Sequence, residues 1–274
     1  MEQFDHARVA VFRGTLAAAL MTFMLGGCAT TGINKGQMNI ISSDEEVKMG
    51  QEMSVEVAKQ YKVYDNTAVT AYVQGVGDRI ARVCDRQEIT YHIAVVDKNE
   101  VNAFALPGGY VYVYTGLMKD IDDEAQLASV IAHEIAHVTA RHAAERLTKM
   151  YGTEFFLGLV FGKNPGLLGK IVKDIGTPIG FLAFSRADEY EADDLGARYL
   201  SAAGYDPNGM VDLLGKLKGL EKSEPGKFET WLMTHPSTSE RLARVEANVA
   251  ALPKSASPVR NAAAYAKIKA QLPK

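Results

Sequence analysis

The sequence lacks several features that would direct its reading elsewhere. Its charges nearly cancel, with 30 Lys and Arg against 33 Asp and Glu for a net charge of -3, and no basic cluster offsets that balance. Nucleic acid is therefore not an expected partner. Cysteine is scarce: Cys28 and Cys84 could form one pair at most. No internal repeat of solenoid length is present. No apolar run is long enough to span a bilayer comfortably. Thr15 to Leu25 is too short, and the apolar, glycine-rich residues 151–184 are interrupted by Lys163, Lys170, Lys173 and Asp174. What remains is a chain of 274 residues with 47% hydrophobic content, enough to fill a real core in one large or two small domains.

The N-terminus reads as an address. Arg8 and Arg13 precede the apolar run, diluted by Glu2 and Asp5, and the run matches the core of a signal peptide. It ends in Leu25-Gly26-Gly27-Cys28, which resembles a bacterial lipobox. The expectation is a signal peptide over 1–27 and a lipidated Cys28 as the mature N-terminus. Residues 28–42 would be a small, polar tether, and acyl chains rather than a spanning helix would hold the protein to a membrane. Ala29 follows the cysteine, where an aspartate would resemble an inner-membrane retention signal. In a Gram-negative cell this points to the outer membrane, facing the periplasm. Cys84 is then a lone thiol, read as a small buried hydrophobe on a helix.

Beyond the tether the pattern is mainly helical. Ser43 to Glu46 has the form of a capping box and opens a helix to about Gln60. A second helix is expected from about Thr67 to Asp85, with Val69, Val73, Val76, Ile80 and Val83 at near-helical spacing. Alternation then predicts strands around Tyr91–Val96, over Val101–Leu106 and, after the turn Pro107-Gly108-Gly109, over Tyr110, Val111, Tyr112, Val113 and Tyr114. Together they predict a small antiparallel sheet containing a hairpin. His92 reads as a partly exposed strand residue. A short helix is expected at Thr115–Lys119, and a long one from Glu124 to about Met150. Residues 151–184 fit either a hairpin of two short buried helices or a mobile flap touching membrane or unfolded substrate. Further helices follow at Arg186–Ala203 and on to about Leu252, interrupted at Thr234-His235-Pro236. A linker and a short terminal helix occupy 254–274.

The long helix carries His133-Glu134-Ile135-Ala136-His137. Residues four apart lie on one helical face, so both imidazoles can bind one zinc ion. Glu134, beside the first of them, can reach a water on that metal and act as its base. His142 is five residues past His137, about 140° further round a continuous helix, and reads as structural or surface. A catalytic zinc needs a third protein ligand. The run Asp188 to Asp194 holds five carboxylates, and on a helix Glu189 and Asp193 project together. One can bind the metal while the other orients a ligand histidine by accepting its ring N–H.

Three stretches together resemble one family. His133–His137, Glu189-Tyr190-Glu191-Ala192-Asp193 and His235-Pro236-Ser237-Thr238-Ser239-Glu240-Arg241 occur in the order and style of the gluzincin peptidases. That group includes the CAAX prenyl proteases, the heat-shock membrane protease HtpX, Oma-type mitochondrial proteases and the BepA/LoiP/YcaL group. Asn102 to Gly109 also looks like that family's segment before the zinc helix. With the lipobox, the chain looks closest to LoiP/YcaL-type outer-membrane lipoprotein peptidases.

The resemblance implies one zinc ion per chain, with His133, His137 and Glu189 as ligands, Glu134 as general base and Asp193 behind a ligand histidine. It implies that His235 and Arg241 steady the oxyanion, or that His235 binds the metal and keeps the enzyme latent. It also implies an α+β fold over 43–253, a mainly helical zincin-like core with the small antiparallel sheet beside the zinc helix. The expected function is a zinc endopeptidase of the cell envelope that acts on unfolded or misassembled proteins, in association with outer-membrane assembly machinery. A lipoprotein chaperone whose zinc site is blocked by His235 is the alternative. The substrate is expected to pair with the Tyr110–Tyr114 strand as an added edge.

Overall fold

The structure, a computed structural model, describes residues 33–34, 39–161, 183–236 and 238–273. The signal segment, Cys28 and most of the tether lie outside the described residues, as do residues 162–182 of the apolar segment. The described residues from 39 onward form one compact unit.

Helix α1 spans Ser43–Gln60. Its cap sits one residue earlier than expected. The sequence Ser42-Ser43-Asp44-Glu45-Glu46 contains two overlapping Ser-x-x-Glu registers, and the chain uses Ser42 with Glu45. Ser42 Oγ accepts from the Glu45 N–H at 3.2 Å, and Glu45 Oε2 accepts from the Ser42 N–H at 2.9 Å. This releases Glu46, which is buried and bonded to Arg86 Nη1 at 3.0 Å and Arg141 Nε at 2.7 Å. Along its inner face α1 buries Met49, Met53 and Val57. It lies so close to the Pro107–Gly109 turn that a Cβ on Gly50 would stand 1.9 Å from the Pro107 carbonyl oxygen. Helix α2, Thr67–Ala81, is capped by Asn66 and buries Val69, Val73, Val76 and Ile80. It ends short of Asp85, and Cys84 is buried just beyond its end.

The strands are β1 (His92–Val96), β2 (Ala103–Leu106) and β3 (Tyr110–Tyr114). They form a mixed sheet in the order β1-β3-β2, not a purely antiparallel one. β2 pairs antiparallel with β3 across the 3-10 turn at Pro107–Gly109, with Ala103 opposite Val113. β1 pairs parallel with β3, with His92 opposite Tyr110. β3 is thus the central strand, bonded on both sides, and has no free edge to offer. The substrate edge expected at Tyr110–Tyr114 is ruled out by this pairing. His92 is exposed and stacks on Tyr110 at 4.7 Å.

Helices α3 (Thr115–Asp120) and α4 (Glu124–Thr139) follow. Every residue of α4 is buried, so it is the core around which the others pack. The single long helix expected to Met150 is instead two. α4 stops at Thr139, Arg141 takes a left-handed φ of 59°, and α5 starts at His142 and runs to Phe161. α6, Arg186–Ala202, packs along α4. Gly196 permits their close approach: a Cβ there would lie 3.2 Å from the His133 backbone nitrogen. Helices α7 (Asn208–Ser223), α8 (Pro225–Thr234), α9 (Thr238–Ala251) and α10 (Ala262–Lys269) complete the unit. α10 is tied to the core, with Tyr265 donating to the Met118 carbonyl at 2.6 Å and Lys269 to the Ile121 carbonyl at 2.8 Å. Among the described residues, no helix is long and apolar enough to cross a membrane.

Candidate metal centre

Four segments meet at one buried point. α4 brings His133, Glu134 and His137, and α6 brings Glu189 and Asp193. His235 sits where α8 ends, its backbone N–H bonded to the Trp231 carbonyl at 2.7 Å. Arg241 reaches in from α9. All seven side chains are buried.

His133, His137, Glu189 and His235 each direct one donor atom into a cluster less than 4.8 Å across. His137 Nε2 and His133 Nε2 are 3.1 Å apart, and His133 Nε2 and His235 Nδ1 are 3.4 Å apart. Glu189 oxygens lie 3.5 Å from His133 Nε2, 3.3 Å from His137 Nε2 and 3.1 Å from His235 Nδ1. Four ligands around zinc at bonds of about 2.0–2.1 Å form a tetrahedron with edges of about 3.4 Å. The observed spacings, 3.1–3.5 Å with Glu189 offering either oxygen, lie near that figure, and the donor set, three imidazoles and a carboxylate, is one that zinc takes.

The electrostatics divide the donors. Burial and Arg241 oppose a charge on His133, but its contacts with Asp193 and Glu189 outweigh them and raise its pKa to about 9, so a metal bound there displaces a proton. Burial holds His137 well below the ordinary imidazole range, leaving a ring nitrogen free to ligate. Burial disfavours the ionised form of Glu189, but Arg241 and His235 overcome it and hold the carboxyl well below its usual range. Glu134 differs. Among the described residues neither of its buried oxygens meets a hydrogen-bond donor, and His235 Nε2 stands 3.4 Å from Oε1 without the alignment of a bond. Burial pushes its carboxyl above the usual range, against the pull of His235 and His133. An unsolvated, unbonded carboxylate beside a donor cluster is poised to take a proton.

The supports behind the donors are unlike one another. His133 Nδ1 lies 3.0 Å from Asp193 Oδ1, and Asp193 receives a two-pronged grip from Arg241, Nε to Oδ2 at 2.8 Å and Nη2 to Oδ1 at 2.7 Å. Behind His137 stands His142, Nδ1 to Nδ1 at 2.8 Å, and behind His142 stands Glu191, 3.1 Å from Nε2. Phe184 stacks on the His137 ring at 4.0 Å, and Trp231 lies 4.5 Å from His235.

Residues 67–249 match the model for peptidase family M48. The chain belongs to that family. M48 metallopeptidases use zinc, and the four-donor cluster is where this chain can hold one ion. Among its M48 relatives is the mitochondrial metalloendopeptidase OMA1 of Schizosaccharomyces pombe, 33% identical over 78% of this chain and 64% of that one. The beta-barrel assembly-enhancing protease of Escherichia coli K12 is 30% identical over 74% of this chain and 43% of its own. The Arabidopsis thaliana OMA1 is 31% identical over 79% and 42%. The chain thus spans from under half to about two thirds of the length of these relatives.

Within this M48 site two sequence expectations change. Arg241 is committed to its own acidic neighbours, with Nη1 2.5 Å from Glu189 Oε2 as well as the two bonds to Asp193. It neutralises and holds the carboxylates rather than standing free as an oxyanion donor. His142 joins the site although a continuous helix would turn it away. The missed signal is the break at Ala140-Arg141, which no glycine or proline announces.

Proposed function

We propose that this M48 chain is a zinc-dependent endopeptidase of the bacterial cell envelope. Its substrates are unfolded or unassembled periplasmic and outer-membrane proteins, and lipid on Cys28 anchors it to the outer membrane. The observation that carries the catalytic part is the unbonded Glu134 carboxylate beside the four-donor cluster. The address rests on Leu25-Gly26-Gly27-Cys28.

His133, His137 and Glu189 would hold the metal. Zinc, when bound, supplies Lewis acidity, lowering the pKa of a coordinated water to about 7 and polarising the scissile carbonyl. Glu134 accepts the proton of the attacking water and passes it to the leaving amine. Asp193, accepting from His133 Nδ1–H, keeps that ring's other nitrogen turned inward. Among the described residues β2 pairs on one side only, with β3, and it is the strand that suits an extended substrate. Glu134→Gln should keep one zinc per chain and lose about 10²–10⁴ in rate, read by digestion of casein or an unfolded outer-membrane protein. Cleavage at the wild-type rate would overturn the reading.

A second reading, a latent site, has its own support. His235 Nδ1 occupies the cluster while its Nε2 lies 3.4 Å from the Ala103 carbonyl on β2. One side chain thus stands on both the metal cluster and the strand edge. If His235 is a latch, His235→Ala raises peptide cleavage; if it stabilises the oxyanion, the same change lowers cleavage by about 10²–10³.

A further inference from the structure

Arg141 is a non-glycine residue held at φ 59°, a conformation that costs about 1 kcal/mol or more and persists only where its surroundings enforce it. Two bonds enforce it here. Arg141 Nε donates to Glu46 Oε2 at 2.7 Å, and Nη2 donates to the Ile41 carbonyl at 2.5 Å. Glu46 is fixed in turn by Arg86, whose Nη1 also donates to the carbonyl of Val138 at 3.0 Å, in the last turn of α4. The chain therefore turns sharply right after the zinc helix, and His142, the first residue of α5, swings back against His137.

With His142 neutral, the hydrogen-bond polarity of this pair has one consistent solution. A carboxylate only accepts, so His142 Nε2 carries the proton given to Glu191. In a neutral imidazole the other nitrogen then accepts, so His142 Nδ1 receives the proton of His137 Nδ1. That leaves His137 Nε2 with its lone pair facing the donor cluster.

We propose that His142, backed by Glu191, is a positioning residue that fixes the tautomer and rotation of His137 for metal binding, and that the Arg141 turn, pinned by Ile41 and Glu46, exists to place it. The inference rests on His137 being a ligand. Glu191 and His142 thus do for the second histidine what Asp193 does for the first.

The test is zinc affinity of the purified chain by competition with a chromophoric chelator, together with the visible spectrum of the cobalt-substituted protein. His142→Ala and Glu191→Gln should each weaken zinc binding, by about 10–100-fold for His142→Ala and less for Glu191→Gln, and should shift the cobalt bands. His142→Gln, whose amide can accept from His137 and donate to Glu191, should restore part of the loss. A His142→Ala protein with unchanged affinity and spectrum overturns the positioning role. Should that variant fail to fold, Glu191→Gln carries the test, and wild-type affinity and cobalt bands in it overturn the proposal. A wild-type chain that binds no zinc overturns the ligand reading beneath it, a separate result.

Discussion

His133 and His137 are one turn apart on the same helix, yet their outer nitrogens are held by different chemistry. His133 leans on Asp193, and Asp193 is clamped by Arg241, with all three fully inside the protein. His137 leans on His142, whose Nε2 lies 3.1 Å from Glu191, a residue with about a quarter of its side chain exposed. The first support is a buried ion network drawn from the neighbouring helices α6 and α9. The second depends on a strained turn held by the N-terminal segment. Damage at Arg241 should therefore be felt first as lost fold, and damage at Asp193 or in the second support as lost metal.

Arg241→Met attacks the first support at its centre and should have the largest effect. It leaves Glu189 and Asp193 as buried, uncompensated carboxylates, which costs about 3–5 kcal/mol and should lower the urea midpoint of unfolding sharply. A variant as stable as wild type would show that the network is not structural. Asp193→Asn keeps the shape but weakens the acceptor behind His133. Zinc affinity should fall by about 10–100-fold, and chelator competition against Glu191→Gln would rank the two supports directly. A smaller loss in Asp193→Asn than in Glu191→Gln would reverse that ranking. The smallest effect is expected from Gly196→Ala. The Met210 methyl, 2.9 Å from the new Cβ, can swing away, whereas the His133 backbone at 3.2 Å can yield only a little. A destabilisation of about 1 kcal/mol, measured by thermal unfolding, is expected on the His133 side only.

The sequence was informative wherever one segment decides its own structure. The apolar spacing of α2, the alternation in β3 and the His-Glu-x-x-His face of α4 are local patterns, and each element forms there, although α2 stops at Ala81 and α4 at Thr139, short of where the pattern ran. Glu189 beside the histidine pair came from the carboxylate run together with a family resemblance, and the fold brings it into the same cluster. Less could be read where partners far apart decide. The parallel pairing of β1 with β3 depends on packing that no strand records in itself. Ser42 and Ser43 offer equivalent caps locally, and the register is settled by the buried bond from Glu46 to Arg86. The break after α4 has no glycine or proline to mark it. It depends on Glu46 and Ile41 gripping Arg141 from 95 and 100 residues away.

The donor cluster also sets an order of events during synthesis. His133 and His235 are separated by 102 residues of chain, and the bond behind His133 waits for Asp193 and Arg241. Closing such separations costs chain entropy that only the completed packing repays. A ribosome-bound chain that has made the histidine pair but not α8 and α9 has no four-donor cluster, whatever zinc surrounds it. Completion of the cluster is thereby a report that the C-terminal helices have been made and docked.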